Sequence, residues 1–178
     1  MRAASRIITV RQRAPNAPNN TPMEISDLLS PDAVVPNLKA SSKKQVLQEL
    51  SLRASRLTGI ADKLIVETLS EREKLGSTGM GQGIAIPHGR LSGITHMTGL
   101  FARLDTPVEY EAMDDLPVDL FFVLLAPEAA GAEHLKALAR VSRLLRNQAM
   151  CEKLRAASPA ALYSLLTDPA ARSGSQAA

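Results

Sequence analysis

Tryptophan and long apolar runs are what this 178-residue chain does without, and of cysteine it has a single residue. Its one cysteine, Cys151, allows no internal disulfide and no thiolate cluster for a metal, a usage that suits a reducing cytoplasm. The longest unbroken apolar run, Leu120–Ala126, has seven residues, against the roughly 20 that a membrane-spanning helix requires, so no membrane insertion is expected. Aromatic residues make up 3% of the chain, which removes the stacking platform that single-stranded nucleic acid binds. Charge does not replace it. The net +3 comes from the first 22 residues, where Arg2, Arg6, Arg11 and Arg13 stand without a single acid, leaving residues 23–178 at −1. Nucleic acid is therefore not an expected partner.

Hydrophobic residues make up 45% of the chain, enough for one sizeable core. Residues 1–22 end in a Pro/Asn-rich stretch that favours turns over packing and read as a disordered basic tail or as a start placed upstream of the true one at Met23. A targeting peptide ranks below both readings. One domain is expected over 23–167 and a second disordered tail over 168–178.

Within that domain Ala33-Val34-Val35 reads as a short strand. Ser41-Ser42 cap a helix whose Val46, Leu50, Ala54 and Leu57 recur at helical spacing and which stops at Gly59. Asp62 is positioned to cap a second helix, with Ile65, Val66 and Leu69 on its apolar face and Gly76 at its end. Three strands follow, GIAIP (83–87), ITHMTGLFARL (94–104) and PVDLFFVLLAP (117–127), the last apolar enough to be buried on both faces. From Gly131, Leu135, Leu138, Val141 and Leu145 form a helical stripe; AMCEKLRAA (149–157) continues it, with Cys151 read as core filler; Ser158-Pro159 open a last helix to Leu166. The order β-α-α-β-β-β-α-α-α calls for an α/β fold of three layers, α/β/α, its sheet covered on both faces.

The stretch GSTGMGQGIAIPHGRL (76–91) spends five glycines and a proline around one histidine, His88. A phosphate-binding loop would need lysine and Ser/Thr after its last glycine, and a dinucleotide fingerprint would open a helix, whereas Gly81 and Gly83 lead into a strand. No cofactor is expected. A serine hydrolase lacks its G-x-S-x-G elbow. The three histidines, His88, His96 and His134, are spaced too widely for a compact zinc site, so no metal is expected either. What remains is His88 at a strand end, between Pro87 and Gly89, open to an incoming partner. Arg72 lies sixteen residues before it, and His134 lies near the start of a later helix, where free N–H groups favour an anion. An arginine and two imidazoles meeting on one loop would suit a phosphoryl group. Taken singly, Arg72 reads first as a surface ion-pair partner of Glu71 or Glu73, and His134 as a helix-surface residue, and only together do they point to a site.

EREKLGSTGMGQGIAIPHGRL resembles the active-site signature of enzyme IIA components of the bacterial phosphotransferase system, mannitol/fructose class. MEISDLLSPDAVVPNLKASSKKQVL resembles the nitrogen-regulatory branch of that class. The resemblance runs from about Met23 to Leu166 and implies a small mixed sheet and a phosphohistidine carrier. In it His88 accepts a phosphoryl group on Nε2 from HPr or its nitrogen-branch counterpart, and Arg72 and His134 flank that group. Ser77, Thr78 or the loop backbone would add donors, and the glycines would clear room for the donor protein. Many relatives have Asn where this chain has Gln82. The implied output is regulation of nitrogen, carbon or potassium metabolism through targets such as sensor kinases or potassium transporters. Two alternatives stand beside it: a sugar-transporting IIA component, and an interaction module that no longer handles phosphate.

Overall fold

A computed structural model of the chain describes residues 22–170; apart from Pro22 and residues 168–170, the two expected tails lie outside the described residues. The chain opens with a one-turn helix α1 (Ile25–Leu28) and a 3-10 turn (Pro31–Ala33). Then come β1 (Val34–Leu38), α2 (Lys43–Thr58), α3 (Asp62–Lys74), β2 (Gly79–Gly81), β3 (Ile84–Ala85), β4 (His88–Leu91), β5 (Thr98–Val108) and β6 (Val118–Pro127). A second 3-10 turn (Glu128–Ala130), α4 (Ala132–Leu145), α5 (Gln148–Ala156), a third 3-10 turn (Pro159–Ala161) and α6 (Leu162–Thr167) complete it. The fold is α/β, as the residue pattern implies, with the small mixed sheet that the family resemblance implies.

The sheet runs β1-β5-β6-β3-β2, and β4 also pairs with β6. Antiparallel β5 lies along one side of β6; β3 and then β4 lie along the other, both parallel to it, with Ile84 opposite Leu120 and His88 opposite Leu124. The expected GIAIP strand shrinks to β3, and a further strand, β4, starts just beyond it at His88. Pro87 has no N–H to give a ladder, so the segment breaks there, although its carbonyl still accepts from Leu124 N–H at 3.0 Å.

Alternation along β6 builds a core on each face. Phe121, Val123 and Leu125 pack with Val46 and Leu50 of α2 and Ile65 and Leu69 of α3. Leu120, Phe122 and Leu124 pack with Ile25 of α1, Val141 and Leu145 of α4, Leu154 of α5 and Leu166 of α6. A strand buried on both faces needs the near-continuous apolar run that 120–126 supplies.

Local chemistry sets the ends. Ser42 accepts from Gln45 N–H at 3.2 Å, and Gly59 closes α2 in the left-handed region at φ 74°. Four readings are corrected. Asp62 is the first residue of α3, capped from Ala61 without a side-chain bond. β5 begins at Thr98, because Ile94–Met97 belong to the turn that follows β4. Of the expected α4 stripe, Val141 and Leu145 are buried and Leu138 packs against the core, but Leu135 is 65% exposed, and His134, Ala137 and Leu144 complete the inward face. The helix α1, at four residues, is too short to leave a periodic signature.

Candidate functional site

Helix α3 turns Ile65, Leu69 and Glu73 inward, which puts Arg72 at the rim of the same face, above the start of β4. The two elements meet closely because residue 89 is glycine: a Cβ there would lie 2.5 Å from Thr68 Cγ2. Arg72 therefore reaches His88, its Nε donating to His88 Nε2 at 3.1 Å, while its Nη1 donates to the Gly76 carbonyl at 2.9 Å. His88 opens β4; it does not follow a strand end as the sequence suggested.

The partners of His88 fix its tautomer. Nδ1 lies 2.8 Å from the Ile86 carbonyl, which can only accept, so Nδ1 carries the proton. Nε2 is left with its lone pair, turned toward the guanidinium. Burial lowers the pKa of the ring, the bond to Ile86 opposes that, and the charge of Arg72 adds to the lowering. The ring is a neutral imidazole at neutral pH.

His134 stands beside it, ring centroids 5.8 Å apart and edge to face. It lies on the inward stripe of α4 and is only 6% exposed, so it is not a helix-surface residue. Arg90 Nε donates to its Nδ1 at 3.4 Å, and its Nε2 has no hydrogen-bond partner among the described residues. Burial, then the neighbouring His88 and Arg90, lowers its pKa as well. His96 is remote in character: exposed, in the turn before β5, with Thr95 as its polar contact.

The loop between α3 and β3 is held by a buried carboxylate. Glu73 accepts from Thr78 N–H and from the Tyr110 hydroxyl at 3.0 Å, shares a short contact with the Thr78 hydroxyl, and pairs with Lys43 at 3.1 Å. Lys43 also lies over the Tyr110 ring, 4.6 Å from its centroid. Burial pushes the Tyr110 hydroxyl well above its ordinary pKa, and the charge of Glu73 adds to this, so it stays a donor. Ser77 Oγ donates to the Tyr110 carbonyl at 3.1 Å and accepts from Gly79 N–H. The hydroxyls of Ser77 and Thr78 are thus engaged with the loop's own anchors.

Gly83 and Gly89 answer to packing, while Gly76 has open space around it. Besides Gly89 under Thr68, Gly83 has φ 78°, and a Cβ there would lie 2.4 Å from Arg155 Nη2. That arginine binds the Asp119 carboxylate through two nitrogens at 2.8 Å each and the Gln82 carbonyl at 2.8 Å, tying α5 to the glycine loop. Cys151 is buried, its thiol donating to the Leu145 carbonyl, and burial raises its pKa.

Arg72, His88 and His134 are brought together, while Arg90, Glu73, Lys43 and Tyr110 were not anticipated. Glu73 left a trace: Ile65, Leu69 and residue 73 share one helical stripe, and a carboxylate on an apolar stripe announces a buried partner. The assembly offers a neutral nucleophilic nitrogen beside a guanidinium and a second imidazole, a setting for accepting a group that carries negative charge.

Residues 27–168 match the family model described as phosphoenolpyruvate-dependent sugar phosphotransferase system, EIIA 2. A nitrogen regulatory protein of Bradyrhizobium diazoefficiens is 56% identical over 150 residues, covering 84% of this chain and 98% of the relative. One from Pseudomonas aeruginosa is 43% identical over 82% of this chain and 96% of its own length. Among solved structures, nitrogen regulatory protein IIA-Ntr from Neisseria meningitidis superposes with a TM-score of 0.76 at 38% identity, over 80% of this chain and 99% of that one.

Proposed function

The chain belongs to the EIIA type-2 family of the phosphoenolpyruvate-dependent sugar phosphotransferase system, in its nitrogen-regulatory branch, and on that premise we propose that it carries a phosphoryl group on His88 Nε2, received from a phosphohistidine of an HPr-like phosphocarrier protein. The observation that supports this most directly is the pair of bonds on the ring: Nδ1–H given to the Ile86 carbonyl, and the Nε2 lone pair turned to Arg72.

In the transfer, the donor's N–P bond breaks with its electron pair staying on the donor ring, and a new P–N bond forms at His88 Nε2. Nδ1–H remains on the Ile86 carbonyl, which disperses the positive charge that develops on the accepting ring. No proton has to leave, so the protein's part is positioning and charge stabilisation. As phosphorus arrives, Arg72 Nε–H exchanges the nitrogen for phosphoryl oxygens, and His134 supplies a second N–H. Ser77 and Thr78 act by holding the loop in place.

The output we propose is regulatory: in the cytoplasm, the ratio of phosphorylated to free protein informs nitrogen, carbon or potassium metabolism through targets such as sensor kinases or potassium transporters. Incubation with enzyme I, the phosphocarrier and labelled phosphoenolpyruvate is expected to give an acid-labile, base-stable phosphoprotein, and His88→Ala is expected to take up none. Label on His88→Ala would remove His88 from the role. Target binding that ignores both His88→Ala and His88→Glu would favour the interaction-module alternative.

A further inference from the structure

Arg90 has an exposed side chain, yet its Nε is spent on a buried ring rather than on a carboxylate. Guanidinium nitrogens can only donate, so the His134 nitrogen that faces them, Nδ1, must present its lone pair. The ring, kept neutral by burial and by the cations around it, then has its one proton on Nε2. That nitrogen is buried and has no partner among the described residues, which costs stability unless a further acceptor arrives. Its ring meets that of His88 edge to face at 5.8 Å.

We infer that Arg90 is a positioning residue: its bond to Nδ1 fixes His134 as the Nε2–H tautomer and so readies a donor for the phosphoryl group on His88. The inference rests on the reading of His88 as the phosphoryl acceptor. Without Arg90, the ring is free to carry its proton on Nδ1, leaving a lone pair at Nε2 to repel phosphoryl oxygens. Arg90 contributes through the ring and need not touch the phosphoryl group itself.

Long-range proton–nitrogen NMR of the full chain reads the tautomer directly and needs no phosphate. His134 is expected as Nε2–H in the wild type, with the Nδ1–H form appearing in Arg90→Met; a wild-type Nδ1–H ring, or an unchanged tautomer in Arg90→Met, overturns the inference. Phosphoryl uptake by Arg90→Met is expected to slow by about tenfold or more, short of the roughly 100-fold to 10,000-fold loss when an aligned donor is removed or a catalytic ring is held in the wrong tautomer, because the freed ring still samples the Nε2–H form. His134→Gln separates the two ways Arg90 could act, because a carboxamide has no tautomer to fix. In that background Arg90→Met is expected to change the rate by about twofold at most, and an undiminished loss would mean that Arg90 acts on the phosphoryl group directly, which overturns its positioning role. Absence of label on the wild type would instead sink the His88 reading beneath it.

Discussion

His88 and His134 both lose water on folding and both face a cation, Arg72 or Arg90, so each holds its proton less tightly in the native state than in the unfolded chain. The unfolded chain, with a histidine pKa near 6.5, then binds more protons below that pH, and linkage makes stability fall with falling pH. The contribution of these rings is fully present above about pH 6.5 and is lost as pH drops from there through their lower native values. Chemical denaturation between pH 7 and 5 is expected to show a shallower loss in His88→Gln and His134→Gln than in the wild type; a steeper one would contradict the sign. Phosphoryl acceptance is likewise expected to persist below the pH at which free imidazole protonates. At this scale the sequence set Arg72 and His88 on one short stretch and singled out His134 by its place at a helix start, and the structure brings the three side chains together. The sequence could not yield the Ile86 carbonyl, a backbone atom whose partner depends on where the chain breaks at Pro87, nor Arg90, forty-four residues from the ring it binds.

Helix α3 and strand β4 form the element pair on which the site depends, and their spacing is set by one missing methyl group. Gly89→Ala would push a Cβ into Thr68 Cγ2, costing about 1–3 kcal/mol as overpacking and lifting α3 away from His88. Thr68→Ser removes that methyl while keeping the hydroxyl that bonds the Leu64 carbonyl. The double variant Gly89→Ala, Thr68→Ser is therefore expected to recover both melting temperature and phosphoryl uptake. Recovery of stability alone would show that the α3–β4 distance does not govern the chemistry. Long elements with caps were readable beforehand: α2 between Ser42 and Gly59, and β6 from its unbroken apolar run. Short strands were read less well: β3 was expected as the longer GIAIP, and β2 and β4, of three and four residues, take their identity from the neighbours they pair with. The stripe of α4 was misread at its first position for a physical reason. Leu135 looks like core and His134 like surface, but the inward position went to the ring with a partner in Arg90, and the leucine was left exposed.

On the scale of the whole molecule, β6 joins the two cores and carries His88 on its flank, through the register of His88 opposite Leu124 and the Leu124 N–H given to the Pro87 carbonyl. Leu124 is wholly buried, and interiors packed to crystal density do not deform by degrees. The His88 ring is therefore fastened beside a strand buried on both faces. On phosphorylation, backbone amide shifts are expected to change around residues 72–90 and 131–135 while those of β5 and α6 stay put; shifts spreading into α6 would defeat the argument. A histidine pinned in this way turns the modification into a stamp on a fixed face. Whatever partner tells the two forms apart must read a neutral ring against a newly displayed anion, and sense altered charge rather than altered outline.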